Sequence, residues 1–187
     1  REQAEAFCRR SWGAVLIDEA YVDFSGANCM DLALSCDNVL VARTLSKSFS
    51  LAGLRLGYCV GNARLIDAMM KIKDSYNLDM VTQALALAAL NDMAYMRANV
   101  ERVRATRARL VAALADLGFE SSPSETNFIW TCPPAGVEAG VLFEQLRADR
   151  LIVRYFPGER TGRHIRITVG TDEQVDALIE WLRSKLG

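Results

Sequence analysis

Two short stretches of the chain concentrate side chains that can do chemistry. The first is Asp18-Glu19-Ala20-Tyr21, and the second runs from Arg43-Thr44-Leu45-Ser46-Lys47 to Arg55. Between them Asp18, Tyr21, Thr44, Ser46, Lys47 and Arg55 supply a carboxylate, a phenol, two hydroxyls, an amine and a guanidinium. A lysine amine can form a Schiff base with an aldehyde. A carboxylate can keep a ring nitrogen protonated. A guanidinium beside hydroxyls can hold a phosphate through charge-assisted hydrogen bonds. Lys47, flanked by Ser46 and Ser48, could also be a phosphate-loop lysine, but that pattern needs glycines ahead of it and Thr44-Leu45-Ser46 has none. Gly53, Gly57 and Gly61 have the spacing of a membrane-helix contact, yet Arg55 and Tyr58 interrupt it and no long apolar segment surrounds it.

These groups can act together only if the fold sets the two stretches side by side. Ala14-Val15-Leu16-Ile17 and Asn38-Val39-Leu40-Val41-Ala42 are continuous apolar runs, the pattern of strands buried on both faces. A third strand is predicted over Arg55 to Gly61. The candidate residues then lie at or just past strand ends, where ligands bind in an α/β sheet. Residues 4–12 read as the end of a short helix.

From Val81 to Leu117 the reading is helical. Met96, Val100, Val103, Leu110, Leu114 and Leu117 recur at helical spacings, with Arg107 filling the gap. Asn91-Asp92 marks a break and N-cap, and Gly118 a stop. Arg97, Arg102, Arg104, Arg107 and Arg109 read as the solvated face of that helix, because no aromatic residues interleave with them as in a nucleic-acid patch. Beyond Gly118, short strands (Thr126 to Thr131, Leu151 to Tyr155, His164 to Val169) alternate with helices (Val137 to Arg150, Asp172 to Leu186), a small α+β unit. Pro133-Pro134 marks a loop, and Thr171 with Gln174 forms a capping box.

A ligand carrying a basic ring nitrogen, an electrophilic carbonyl and a phosphate would use the whole first set, and pyridoxal 5'-phosphate has all three. The residues alone leave a second arrangement open, in which Asp18 and Arg55 form a buried ion pair and the hydroxyls cap loops.

The wording of the two stretches goes further. Val15-Leu16-Ile17-Asp18-Glu19-Ala20-Tyr21, followed by Arg43-Thr44-Leu45-Ser46-Lys47-Ser48-Phe49-Ser50-Leu51-Ala52-Gly53-Leu54-Arg55-Leu56-Gly57-Tyr58, closely resembles the fold-type I aminotransferases, and among them the histidinol-phosphate aminotransferases. Arg154 and the segment His164-Ile165-Arg166-Ile167-Thr168-Val169-Gly170-Thr171 match that family's substrate-anion arginines. The resemblance implies an α/β fold: residues 1–79 as the C-terminal part of a cofactor-binding large domain with a three-stranded mixed sheet, 80–117 as a long interdomain helical segment, and 118–187 as a small α+β domain. It implies Lys47 as the Schiff-base lysine and proton shuttle and Asp18 against the pyridine nitrogen. Tyr21 would hydrogen-bond the cofactor's phenolate oxygen, and Thr44, Ser46 and Arg55 would hold its phosphate. Arg166 with Arg154 would grip the substrate anion. The reaction implied moves an amino group between histidinol phosphate and 2-oxoglutarate, in a cytoplasmic homodimer. A threonine-phosphate decarboxylase, an aromatic amino-acid aminotransferase and a non-catalytic folded fragment are the other readings.

Complete members of the family are about twice as long and carry, upstream, a phosphate loop, a stacking aromatic ring, a cofactor-binding Asn and an N-terminal arm with a partner-subunit Tyr. This chain is therefore expected to be partial, inactive alone, and to have exposed sheet edges that invite pairing. Ser75 precedes Tyr76-Asn77, where the family commonly has proline.

Composition fits this picture. The 187 residues are 51% hydrophobic, and 22 Lys+Arg against 23 Asp+Glu leave a net charge of −1, so no global field favours nucleic acid or an anionic membrane. The charge-free stretch Met80 to Asn91 is too short to span a bilayer. The N-terminus does not read as a signal peptide, and the missing Met start points to a trimmed chain. The five scattered cysteines suggest reduced thiols rather than a disulfide framework or a zinc site. His164, the only histidine, rules out a multi-histidine metal site and is the one residue a Ser-His-Asp triad could use.

Overall fold

Strand β1 (Val15–Asp18) pairs in parallel with β2 (Val39–Thr44), and β3 (Gly57–Gly61) runs antiparallel on the far side of β2. In this computed structural model, which describes residues 1–186, the chain divides into two compact units, Arg1–Asn99 and Val100–Gly187. Gly187, the last residue of the predicted small domain, lies outside the described residues. The mixed three-stranded sheet expected from the sequence is the centre of the first unit.

Side chains alternate across that sheet. Val15, Ile17, Val39, Val41 and Val60 share one face and pack with Cys8 of α1 (Glu2–Arg10) and with Leu32 and Ala33 of α2 (Met30–Ser35). Asn38 ties these layers together by donating to the Cys8, Ser11 and Gly13 carbonyls, which takes up acceptors at the open end of α1. The opposite face carries Leu16, Asp18, Leu40, Ala42 and Thr44.

Two expectations about the strands need correction. β2 is buried on both faces, as its apolar run predicts, but β1 is not: Leu16 is 63% exposed. β1 is an edge strand, and hydrophobicity alone does not show that its second face lacks a covering layer. The third strand starts at Gly57 rather than Arg55, because Arg55 adopts a left-handed conformation (φ 54°) that no strand tolerates.

Helix α3 (Ala63–Ile72) is capped by Asn62, whose side chain accepts from the Arg64 amide at 2.9 Å. Asp79 caps α4 (Met80–Asn91) in the same way through the Thr82 amide. α4 is apolar on every side, and Met80, Val81, Leu85, Leu87 and Leu90 are all exposed, as is Trp12 after α1. Among the described residues no helix is long and apolar enough to cross a membrane.

The break expected at Asn91-Asp92 is present: α5 (Met93–Asp116) follows, with the Asp92 carboxylate accepting the Tyr95 amide. α5 begins in the first unit and ends in the second. Of the arginines assigned to its solvated face, Arg107 departs from that reading. It is half-buried and donates to the Thr126 carbonyl, so its stem fills the gap in the apolar stripe while its head satisfies a loop.

The second unit is an antiparallel sheet of β4 (Glu120–Ser121), β5 (Phe128–Cys132), β7 (Ile165–Thr168) and β6 (Arg154–Tyr155), in that spatial order. Ile129, Ile165 and Ile167 pack on one of its faces with Leu110 and Leu114 of α5, Leu142 and Leu146 of α6 (Ala139–Ala148), and Leu178 and Leu182 of α7 (Asp172–Leu186). The capping box at the start of α7 forms in both directions, Thr171 N to Gln174 Oε1 and Gln174 N to Thr171 Oγ1.

Gly118 ends α5 at φ +79°, with the Phe119 amide on the Leu114 carbonyl and the Gly118 amide on the Ala115 carbonyl. A Cβ at this position would lie 3.2 Å from Pro134 Cβ. Gly118→Ala is therefore expected to lower the unfolding free energy by about 1–2 kcal/mol, the left-handed penalty for a residue with a side chain. Urea denaturation of the two proteins side by side checks this, and equal midpoints would refute it.

Candidate active site

The parallel register sets Asp18 opposite Ala42, so the chain leaves β1 and β2 at the same end of the sheet. Asp18 and Thr44 are the last residues of their strands and lie on the same, open face. After Asp18 the chain turns sharply, with Asp18 Oδ1 accepting the Ala20 amide at 2.9 Å. Tyr21 then opens a 3-10 turn, Val22–Phe24, anchored by the buried Phe24.

After Thr44 the chain wraps around Leu45, which is buried. The Leu45 amide donates to the Leu56 carbonyl, the Leu51 amide to the Leu45 carbonyl, and the Ser50 amide to the Lys47 carbonyl. Ser50 and Arg55 are left-handed, which lets so short a loop reverse into β3. Gly57 begins β3 because a Cβ there would meet the Arg43 carbonyl at 2.8 Å.

This wrapping brings Lys47 to Tyr21, with Nζ 5.2 Å from the ring centroid. Thr44 Oγ1 receives the Ser46 amide and shares its own hydrogen between Ser46 Oγ at 2.9 Å and the Leu56 carbonyl at 3.1 Å. Arg55 is exposed and donates to the Ala52 carbonyl. Among the described residues none of Asp18, Lys47 and Arg55 belongs to an ion pair. The buried Asp18–Arg55 pair that the sequence left open is thus absent, although Thr44 does cap its loop. A carboxylate, an amine and a guanidinium left without counter-ions beside two hydroxyls fit a ligand with a ring nitrogen, an aldehyde and a phosphate.

The buried ion pair of this region involves the neighbours instead. Glu19 is buried, and its Oε2 accepts from Arg43 Nε at 2.9 Å and Nη2 at 2.8 Å while Oε1 accepts the Cys29 amide. Burial acts to lower the Arg43 pKa, but hydrogen bonds to Glu19 and Tyr58 outweigh it and hold the guanidinium above its ordinary value. A second link, from Ser48 Oγ to Asp23 Oδ2, joins the Lys47 loop to the turn after Tyr21. Sequence reasoning missed both pairs. The only signal was that each partner sits one or two residues from a candidate residue.

In the second unit Arg154 and Arg166 are register partners on β6 and β7, and Trp130 faces Arg166 from β5. The Arg166 guanidinium lies 5.1 Å from the Phe128 ring centroid and 5.7 Å from that of Phe156. Its buried Nε has no hydrogen-bond partner among the described residues. His164 stacks on Trp130 at 5.1 Å between centroids and 10° between planes. Its Nδ1 is likewise without a partner, so no carboxylate orients it there as a Ser-His-Asp triad requires.

The sequence matches the family model "Aminotransferase class I and II" over residues 1–182. It is 44% identical over 187 residues to a histidinol-phosphate aminotransferase of Microcystis aeruginosa, covering 100% of this chain and 53% of that protein. It is 49% identical over 174 residues to histidinol-phosphate aminotransferase 2 of Thiobacillus denitrificans, covering 91% of this chain and 48% of that one. The fold superposes on the crystal structure of histidinol-phosphate aminotransferase from Sinorhizobium meliloti in complex with pyridoxal-5'-phosphate with a TM-score of 0.84 and 29% identity, covering 98% of this chain and 53% of that chain. The chain spans about half the length of the curated relatives it matches.

Proposed function

The chain belongs to the class I and II aminotransferases, and on that footing we propose that it serves a pyridoxal-phosphate-dependent transamination between histidinol phosphate and 2-oxoglutarate. The observation that carries the reading is the Lys47 amine over the Tyr21 ring, with Asp18 and Arg55 free of counter-ions among the described residues. Similarity to proteins named for histidinol phosphate supports the choice of substrate.

The cofactor, when bound, supplies an electron sink for the carbanion formed at the substrate Cα. Asp18 holds a proton on the ring nitrogen, and Tyr21 donates a hydrogen bond from its Oη to the ring oxygen. Thr44, Ser46 and Arg55 bind the phosphate. Lys47 is the residue that would hold the cofactor's aldehyde through its Nζ, and its amine would take the proton from the substrate Cα and return it as general acid. Arg166, with Arg154, grips the carboxylate of glutamate in one half-reaction and the phosphate of the imidazole substrate in the other. In this reading residues 1–79 carry the cofactor, 80–117 connect, and 118–187 recognise the anion, within a cytoplasmic homodimer.

The test is addition of pyridoxal phosphate to the whole protein, reduction with borohydride and mass mapping of the labelled peptide. Label on Lys47 that disappears in Lys47→Ala is the expected result. Label spread over Lys71, Lys73 and Lys185 would reject Lys47 as the attachment point. Amino transfer from histidinol phosphate, without release of carbon dioxide from threonine phosphate, tests the reaction itself.

A further inference from the structure

The Ser48 hydroxyl is buried, 5% exposed, directly after Lys47, and it donates to Asp23 two residues after Tyr21. We propose that Ser48 and Asp23 are positioning residues that set the height of the Lys47 amine over Tyr21. The importance given to Lys47 rests on the function proposed above.

A lysine side chain has many rotamers, so its Nζ stays near a ring only if its backbone is fixed relative to that ring. The two backbones here belong to segments far apart in sequence, the turn after β1 and the loop after β2. Phe24 anchors the first and Leu45 the second, yet both act at a distance from Lys47 itself. The Ser48–Asp23 bond is the cross-link next to it. A hydroxyl donating to a carboxylate is a strong, directional bond, and burial of Ser48 shields it from water. A loose catalytic lysine is costly, since a misplacement of about 1 Å can lower a rate about a hundredfold.

The readout is trace acetylation of Lys47 in the whole protein without cofactor, with the exposed Lys71 as internal reference. Lys47 is half-buried, so in the wild type it is expected to react more slowly than Lys71. In Ser48→Ala its rate should rise by about threefold or more relative to Lys71, as the loop opens more often. Asp23→Ala should do the same, the double variant should add nothing further, and Asp23→Asn, which keeps an acceptor, should stay near the wild type. Rates unchanged in both alanine variants, or effects that simply add, would overturn the proposal. So would a rise shared equally by every lysine, which marks general loosening. In the loaded enzyme, kcat should fall in Ser48→Ala while KM holds. Absence of pyridoxyl label on Lys47 in the wild type would instead count against the proposed function, because acetylation needs no cofactor.

Discussion

Replacing Arg43 with methionine is expected to destabilise the protein by about 3–5 kcal/mol, because it leaves the Glu19 carboxylate buried without its counter-ion. Two guanidinium nitrogens converge on Glu19 Oε2 within 3 Å, and the remaining oxygen is taken by one backbone amide. Methionine keeps much of the volume of the arginine stem, so the loss is electrostatic rather than a packing void. The control is Arg43→Met combined with Glu19→Leu. Removing both charges should recover most of the lost stability, as for other buried pairs replaced by apolar residues. Urea melts of the single and double variants give the answer. A single variant within 1 kcal/mol of the wild type, a margin of about the value of an exposed pair, would show that the pair is solvated.

Lys47→Ala should lower the transamination rate of the whole protein by about 10²–10⁴-fold through the lost proton transfer alone. Lys47→Arg should be no better, since a guanidinium stays protonated and its planar head cannot replace a compact amine. Added primary amines should restore part of the activity of Lys47→Ala, because they supply a base without its tether. An alanine variant within tenfold of the wild type would remove Lys47 from the mechanism.

Local signals in the sequence were the reliable ones. The apolar runs of β1 and β2, the Asp92 break, the Gly118 stop and the Thr171–Gln174 box each involve residues within one turn or strand of one another. α3 is equally local, with Asn62 ahead of Leu65, Ile66, Met69 and Met70 at helical spacing. Other features depended on long-range contacts. Nothing in the run Val15 to Asp18 says that Leu16 would face outward, since that depends on whether a second layer covers an edge strand. The left-handed Arg55 is invisible to a pattern of alternating hydrophobicity. Glu19–Arg43 and Asp23–Ser48 join residues more than twenty positions apart, and charge pairing by itself leaves Asp18 with Arg55 equally open. The candidate residues could be named because their types and order are specific; the pairs that brace them could be seen only in three dimensions.

The stack of His164 on Trp130 also gives the second unit an optical property. An indole stacked on an imidazole sits in a fixed, asymmetric surrounding, so Trp130 should contribute a near-ultraviolet circular-dichroism band that is lost when β5 parts from the segment leading into β7. Trp12, fully exposed in the first unit, and Trp181, whose Nε1 donates to Asp149, do not share this neighbour. The protein would thus carry its own optical indicator of sheet formation beside Arg166.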